Sequence, residues 1–240
     1  MKRTLERIAA TLSFLTVLPV PGKREVSRSS AFFPIAGWII GGALFGVMAA
    51  AESLPVLAST FLVVAVWEFA SRGLHVDALA DSADAFLAGG GRERILRILE
   101  DSHTGAFGVM AIGLLLLGKF ALVSSLPVGT GRVAVLCACV VGRFGLTVFA
   151  ALFGAARDEG LGSAVIRSTG LPEVAVAAVI AFVPLGIIFR MQALYAACGL
   201  LPGLALALYS WKKIGGLTGD VLGACLELTE LATLFAFLFI

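Results

Sequence analysis

Apolar residues come in long unbroken runs along this chain, separated by short segments rich in charge, glycine and proline. Seven runs, at roughly 31–50, 55–71, 106–126, 132–153, 173–189, 191–211 and 219–240, suit helices that cross a bilayer, which takes about 20 residues each. The second and fifth are near the short limit. An eighth run, Thr4–Leu18, has only about fifteen residues and suits an interfacial or re-entrant helix. Pro19, Pro21 and Gly22 end it, and Lys23, Arg24 and Arg28 follow in a basic loop. Glu6, the polar Thr11, Ser13 and Thr16, and the lack of an A-x-A site set this segment apart from a cleaved signal peptide.

The polar segment from Gly73 to Gly105 has a pattern of its own. A helix is predicted from about 75 to 88, stopped by Gly89, Gly90 and Gly91. A second, about 92–101, would bury Ile95, Leu96, Ile98 and Leu99 and leave Arg94 and Arg97 on its polar side. The whole pattern predicts an all-α polytopic membrane protein in a single domain over 1–240. It has about seven transmembrane helices, an N-terminal interfacial or re-entrant helix and short cytoplasmic helices.

Composition agrees. Of 240 residues 59% are hydrophobic and 14% charged, with a mean hydropathy of +1.00, where soluble domains carry about 25% charge. The net charge of +2 gives no basis for a nucleic-acid partner. Cys137, Cys139, Cys198 and Cys225 lie in apolar segments without a C-x-x-C pair, which points to packing roles and not to zinc or disulfides. No fixed-period repeat is present.

Lysine and arginine fall almost wholly on one side of the seven-span arrangement, leaving Arg132 and Arg190 on the other. The positive-inside rule therefore places the N-terminus and the 72–105 loop in the cytoplasm and the C-terminus outside. Two cations fall inside spans. Lys119, seven residues from the outer end of its span, is expected to snorkel outward. Arg143, near mid-span, calls for a partner such as Glu68, Glu227 or a phosphate.

Asp77, Asp81 and Asp84 follow one another at i, i+4 and i+7, so a helix aligns them on one face. Such a negative stripe needs a cation. Carboxylate oxygens are hard ligands suited to Mg²⁺ or Mn²⁺, and the neighbouring Arg92, Arg94 and Arg97 suit a metal-bound diphosphate. A second motif, Gly215-Gly-Leu-Thr218-Gly-Asp220, opens the last span. Thr218 can N-cap that helix while glycine backbone approaches an anion, and Asp220 is a further ligand or base. A third, Arg157-Asp-Glu-Gly-Leu-Gly162, lies in another cytoplasmic loop.

These motifs, with Leu12-Ser-Phe-Leu-Thr-Val-Leu-Pro-Val-Pro21, Phe33-Pro-Ile-Ala-Gly37 and Glu100-Asp-Ser-His-Thr-Gly105, resemble the adenosylcobinamide-GDP ribazoletransferase (cobalamin synthase) family over nearly the whole chain. The family pattern H-x-D-G-L-A-D-x-x-D-G is altered here at Ala78 and Ala85, which replace glycines. The resemblance implies a Mg²⁺-dependent enzyme of the bacterial or archaeal cytoplasmic membrane. There the 3′-hydroxyl of α-ribazole, or of its 5′-phosphate, attacks adenosylcobinamide-GDP and GMP leaves. It implies Asp77, Asp81 and Asp84 as metal ligands, with Asp220 or Asp101 completing the shell, and His75 or His103 as the base. Arg94, Arg97, Arg143 and Arg157 would contact the diphosphate, and Thr218 the substrate. The partners implied are the two substrates and the lipid bilayer, with association of copies of the chain left open.

Two rival readings start from the same residues. Another Mg²⁺-dependent membrane transferase is disfavoured by the lack of D-G-x-x-A-R, as in CDP-alcohol phosphotransferases, and by a single D-x-x-x-D stretch where prenyltransferases have a pair. A cation transporter would hold its acids at mid-membrane, whereas here only Glu68, Glu227 and Glu230 lie within spans and the aspartates cluster at the cytoplasmic edge.

Overall fold

The computed structural model describes residues 2–20 and 27–240 and is all-helical. The Pro21–Gly22 break and the Lys23–Arg24 part of the basic loop lie outside the described residues. Helix α1, Lys2–Leu15, packs against α2, Phe33–Ala50, and against the short turn of helix before it. Next come α3, Val56–Ala70, and α4, Leu74–Leu87, then the small α5, Arg92–Ile98. Two long helices follow, α6, Ala106–Ser125, and α7, Val128–Phe153. The chain continues through α8, Leu161–Arg167, α9, Leu171–Phe189, α10, Gln192–Cys198, and α11, Leu200–Ile214, to α12, Gly219–Ala236.

Among the described residues six helical segments are long and apolar enough to cross a membrane, and a seventh exists only if α3 and α4 are taken as one bent span. Helix α3 has 15 residues, so at 1.5 Å per residue it falls short of the roughly 30 Å of hydrocarbon. Arg72 (φ 59°) and Gly73 (φ 67°) both turn left-handed after it, and α4 leaves at 83°. The run expected at 55–71 is thus half of a broken span.

Helix α7 is the centre of the bundle. Its middle is buried on all sides by α2, α9, α11 and α12. Glycines let α2 come close: a methyl group on Gly37 would fall 2.5 Å from the Cys139 carbonyl oxygen, and one on Gly41 3.0 Å from Leu136 Cα. In a membrane bundle such small-residue contacts supply close van der Waals packing. Cys137, Cys139 and Cys225 are buried in this packing, as expected, whereas Cys198 is exposed.

The intramembrane charges differ from the sequence reading. Lys119 does not snorkel. It is fully buried, and its ammonium donates to Glu68 at 2.8 Å, Glu227 at 2.6 Å and Glu230 at 2.8 Å, with the Trp67 ring 4.5 Å away. Arg143 is also buried and pairs with Glu230, so its partner is the third glutamate and neither of the two expected. The cause is tertiary: α3, α6, α7 and α12 bring opposite charges together, which costs less than dragging a lysine to the surface.

Candidate functional site

Helix α4 carries the aspartates, and its neighbours are α12 and α6. Across the stripe burial rises steadily: Asp77 is exposed, Asp81 half-buried and Asp84 buried. Both Asp84 oxygens accept backbone N–H groups at the start of α6, from Gly105 at 2.7 Å and Gly108 at 2.9 Å. Those amides are among the unpaired donors of a helix N-terminus, so Asp84 serves α6 as a cap contributed from another helix. Asp81 remains within the electrostatic reach of Asp77, Asp220, Asp84 and Asp101.

The other two motifs are tied to each other by backbone. Ala156 N–H donates to Leu217 C=O at 2.8 Å and Leu217 N–H to Gly154 C=O at 2.9 Å. This short pairing fixes Arg157 beside Asp220, where its Nη2 stands 3.5 Å from Oδ2 and its Nη1 3.3 Å from Glu100. Thr218 caps α12 as expected, accepting from Val221 N–H at 3.3 Å, and its hydroxyl donates to Asp220 at 3.2 Å. Gly162 and Gly219 meet backbone to backbone, since a methyl on Gly162 would fall 2.5 Å from Gly219 Cα. Helix α8, preceded by Gly160 (φ 100°), stands where the sequence suggested only a loop. Its seven residues are too few to announce themselves by period.

A cavity of about 270 Å³ lies where these pieces converge, and His75, Asp77, Arg157 and Asp220 line it together. A larger one of about 530 Å³ adjoins it, sharing Phe14, Leu74, Asp77 and Leu161. His75, a candidate base, is buried with Nδ1 unpartnered. The altered Ala78 is accommodated by Gly223: a methyl built there would lie 2.5 Å from the Ala78 methyl, so glycine on α12 makes room for alanine on α4.

Several expected residues stand apart from the cavity. Arg143 is held in its ion pair. Arg94 and Arg97 are exposed on α5 and do not line the cavity. Arg92 is a staple, donating to Ile214 C=O at 2.9 Å and Ala156 C=O at 2.7 Å. His103 bonds Asp101 at 2.6 Å on the exposed loop before α6. That hydrogen bond holds the Asp101 carboxyl below its ordinary titration range. Phe14 and Phe33, which line the cavity with Ser163, fall in two of the motifs above but were given no role there, and Ser163 was not singled out, because nothing in the sequence separates it from an ordinary packing residue.

The acids suit a hard cation in charge, since Asp77, Asp81 and Asp220 lie within electrostatic reach of one another and, among the described residues, only Arg157 is paired against them. They form a rim, not a closed cage: among the described residues no three His, Cys, Asp or Glu side chains converge as ligands of one ion. Mg²⁺ commonly takes one or two carboxylates, keeps several waters and completes its shell with substrate phosphate, so an open rim fits it.

The sequence profile of the family described as cobalamin-5-phosphate synthase matches residues 7–238. The chain belongs to this family. Among its relatives, adenosylcobinamide-GDP ribazoletransferase of Chlorobaculum parvum is 38% identical over 243 residues, covering 96% of this chain and 94% of that one. The enzymes of the same name from Acinetobacter baumannii and Acetivibrio thermocellus are 36% and 33% identical, with 94% and 98% of this chain covered and 94% and 97% of theirs. No solved structure matches. Membership of the cobalamin-5-phosphate synthase family makes this multi-helix membrane protein a transferase of cobalamin biosynthesis.

Proposed function

We propose that the protein joins the two halves of the cobalamin nucleotide loop. The 3′-hydroxyl of α-ribazole, or of its 5′-phosphate, attacks the cobinamide-linked phosphorus of adenosylcobinamide-GDP. The new O–P bond forms, the diphosphate bridge breaks, and GMP leaves with the bridging electrons. The observation that carries this reading is the convergence of His75, Asp77, Arg157 and Asp220, from three separate motifs, on one cavity.

Phosphoryl transfer asks the protein for position and charge, not covalent chemistry. Mg²⁺, or Mn²⁺ in its place, held by one or two carboxylates of the Asp77, Asp81 and Asp220 rim and by substrate phosphate, would neutralise the diphosphate, while Asp84 is engaged by the amides of α6. Arg157 lies on the same rim and offers a second cation to the leaving phosphate. Arg94 and Arg97, exposed on α5, and His103 with Asp101 on the loop before α6 lie outside the cavity lining and are candidates only for the outer part of the substrate. His75 faces the cavity with a free ring nitrogen and is the candidate to take the hydroxyl proton. This rim is read as the cytoplasmic mouth, because the basic residues of the chain gather on its side.

The test is direct. Purified protein in lipid nanodiscs, given adenosylcobinamide-GDP, α-ribazole and Mg²⁺, should release GMP and form adenosylcobalamin one for one. No GMP release with either divalent ion overturns the proposal.

A further inference from the structure

The 270 Å³ cavity has two unlike ends. Its mouth is polar and open: Asp77, Glu159 and Gly160 are exposed, with Arg157 and Asp220 half-buried. Its interior is apolar and closed, walled by Leu15, Phe33, Leu146 and Val165, none more than 4% exposed. Two buried polar atoms of residues that line the cavity have no hydrogen-bond partner among the described residues. They are Nδ1 of His75, a residue 3% exposed, and Oγ of Ser163, 1% exposed. Buried polar groups are almost always paired, and leaving one bare costs about 1–3 kcal/mol. Two in one cavity mark a place where a ligand supplies the partners.

Size and shape narrow the ligand. The volume lies just under the roughly 300–1,000 Å³ of small-molecule sites, so the interior holds one ring system and excludes a macrocycle. Two aromatic rings line it, those of Phe14 and Phe33, with ring centroids 6.2 Å apart at 34°. Such a slot suits an aromatic ring stacked or edge-on. Charge disfavours a phosphate in the interior: among the described residues the lysine or arginine that lines the cavity is Arg157, which stands at the mouth, where Asp77, Glu159 and Asp220 outnumber it.

We infer that this interior is the subsite for the fused aromatic base of the nucleoside acceptor, with Ser163 as a residue that selects it. The inference rests on the reaction proposed above. The Ser163 hydroxyl donates to the imine nitrogen of the base, while apolar substituents of the base meet Leu146 and Val165. The attached sugar then lies at the mouth, its hydroxyls between His75 and the carboxylates of Asp77 and Asp220. The corrinoid, too large for this slot, stays on the outer side in the adjoining 530 Å³ cavity and beyond.

Ser163→Ala removes one hydroxyl from a packed position and is expected to fold. It should raise KM for α-ribazole about tenfold, the worth of one hydrogen bond, and leave KM for adenosylcobinamide-GDP unchanged. Ser163→Leu, which fills the slot, should abolish the use of α-ribazole. Calorimetry of α-ribazole binding to wild type and Ser163→Ala should show the same weakening without turnover. If wild type releases no GMP, the reaction itself is wrong, and calorimetry alone then decides the slot. If wild type turns over and Ser163→Ala leaves KM for α-ribazole unchanged, or raises both KM values alike, the subsite assignment is overturned.

Discussion

Lys119 and Glu227 meet at 2.6 Å inside the bundle, and neither side chain reaches solvent. Glu68 and Glu230 share the same ammonium, and Glu230 also pairs with Arg143, so three carboxylates face two cations. Taking away a cation leaves carboxylates buried without counter-charge. Lys119→Met should therefore lower unfolding stability by about 3–5 kcal/mol, read as a large loss of thermal stability in detergent. Glu227→Gln leaves two carboxylates for two cations and should stay within about 1 kcal/mol of wild type. Equal losses for the two variants would contradict this charge balance.

Asp84 is expected to act first through structure. Its carboxylate bonds two amides at the start of α6, so Asp84→Ala should cost about 1–2 kcal/mol, as for loss of a strong cap. Asp84→Asn keeps one acceptor oxygen and should recover part of it. Unchanged melting temperatures for both variants would mean that the cap carries no weight and that the residue serves only a ligand.

Asp81 has no such structural bond and lies amid other acids. Replacing it by asparagine removes charge and not packing, so the protein should fold and insert while GMP release falls at least about a hundredfold. Activity within a few-fold of wild type at ordinary Mg²⁺ would remove Asp81 from the ligand set.

Gly162 packs against the opening of α12. A methyl there meets Gly219 Cα at 2.5 Å, backbone that cannot swing aside. Gly162→Ala should destabilise by about 1–3 kcal/mol and lower activity with it, because Asp220 and the Ser163 slot both shift. Thermal unfolding and turnover measured on the same sample check the two effects together.

On the loop before α6, His103 lends hydrogen bonds to Asp101 and holds that carboxyl below its usual range. A lowered carboxyl keeps its charge further into acid. His103→Ala removes the ring donor, so Asp101 should titrate at higher pH than in wild type, followed by carboxyl-carbon NMR. No shift would mean that the ring contact does not form in solution.

The helical plan and the acidic stripe were legible because both are local: apolar run length sets the spans and spacing sets the face. The helix expected over 92–101 forms over 92–98, and of its four expected core residues Ile95 and Leu99 are buried while Leu96 and Ile98 are half-buried. What escaped was non-local. The partners of Lys119 lie 51, 108 and 111 residues away, so depth in a single span pointed to the surface. Asp84 finds its amides 21 and 24 residues downstream, and no spacing rule reveals that. The left-handed pair at Arg72 and Gly73 was visible only as one glycine beside a charge. Ser163 carried no signal at all, since a buried serine differs from any other only by what it fails to touch.

The pairing of Glu68 with Lys119 also bears on how the chain is made. Helix α3 leaves the ribosome carrying a carboxylate and too short to cross by itself, and its ammonium arrives only with α6. Until then the Glu68 carboxylate lacks the ammonium that holds it in the finished bundle. The bent α3–α4 segment is therefore expected to take its final place only once α6 has been inserted.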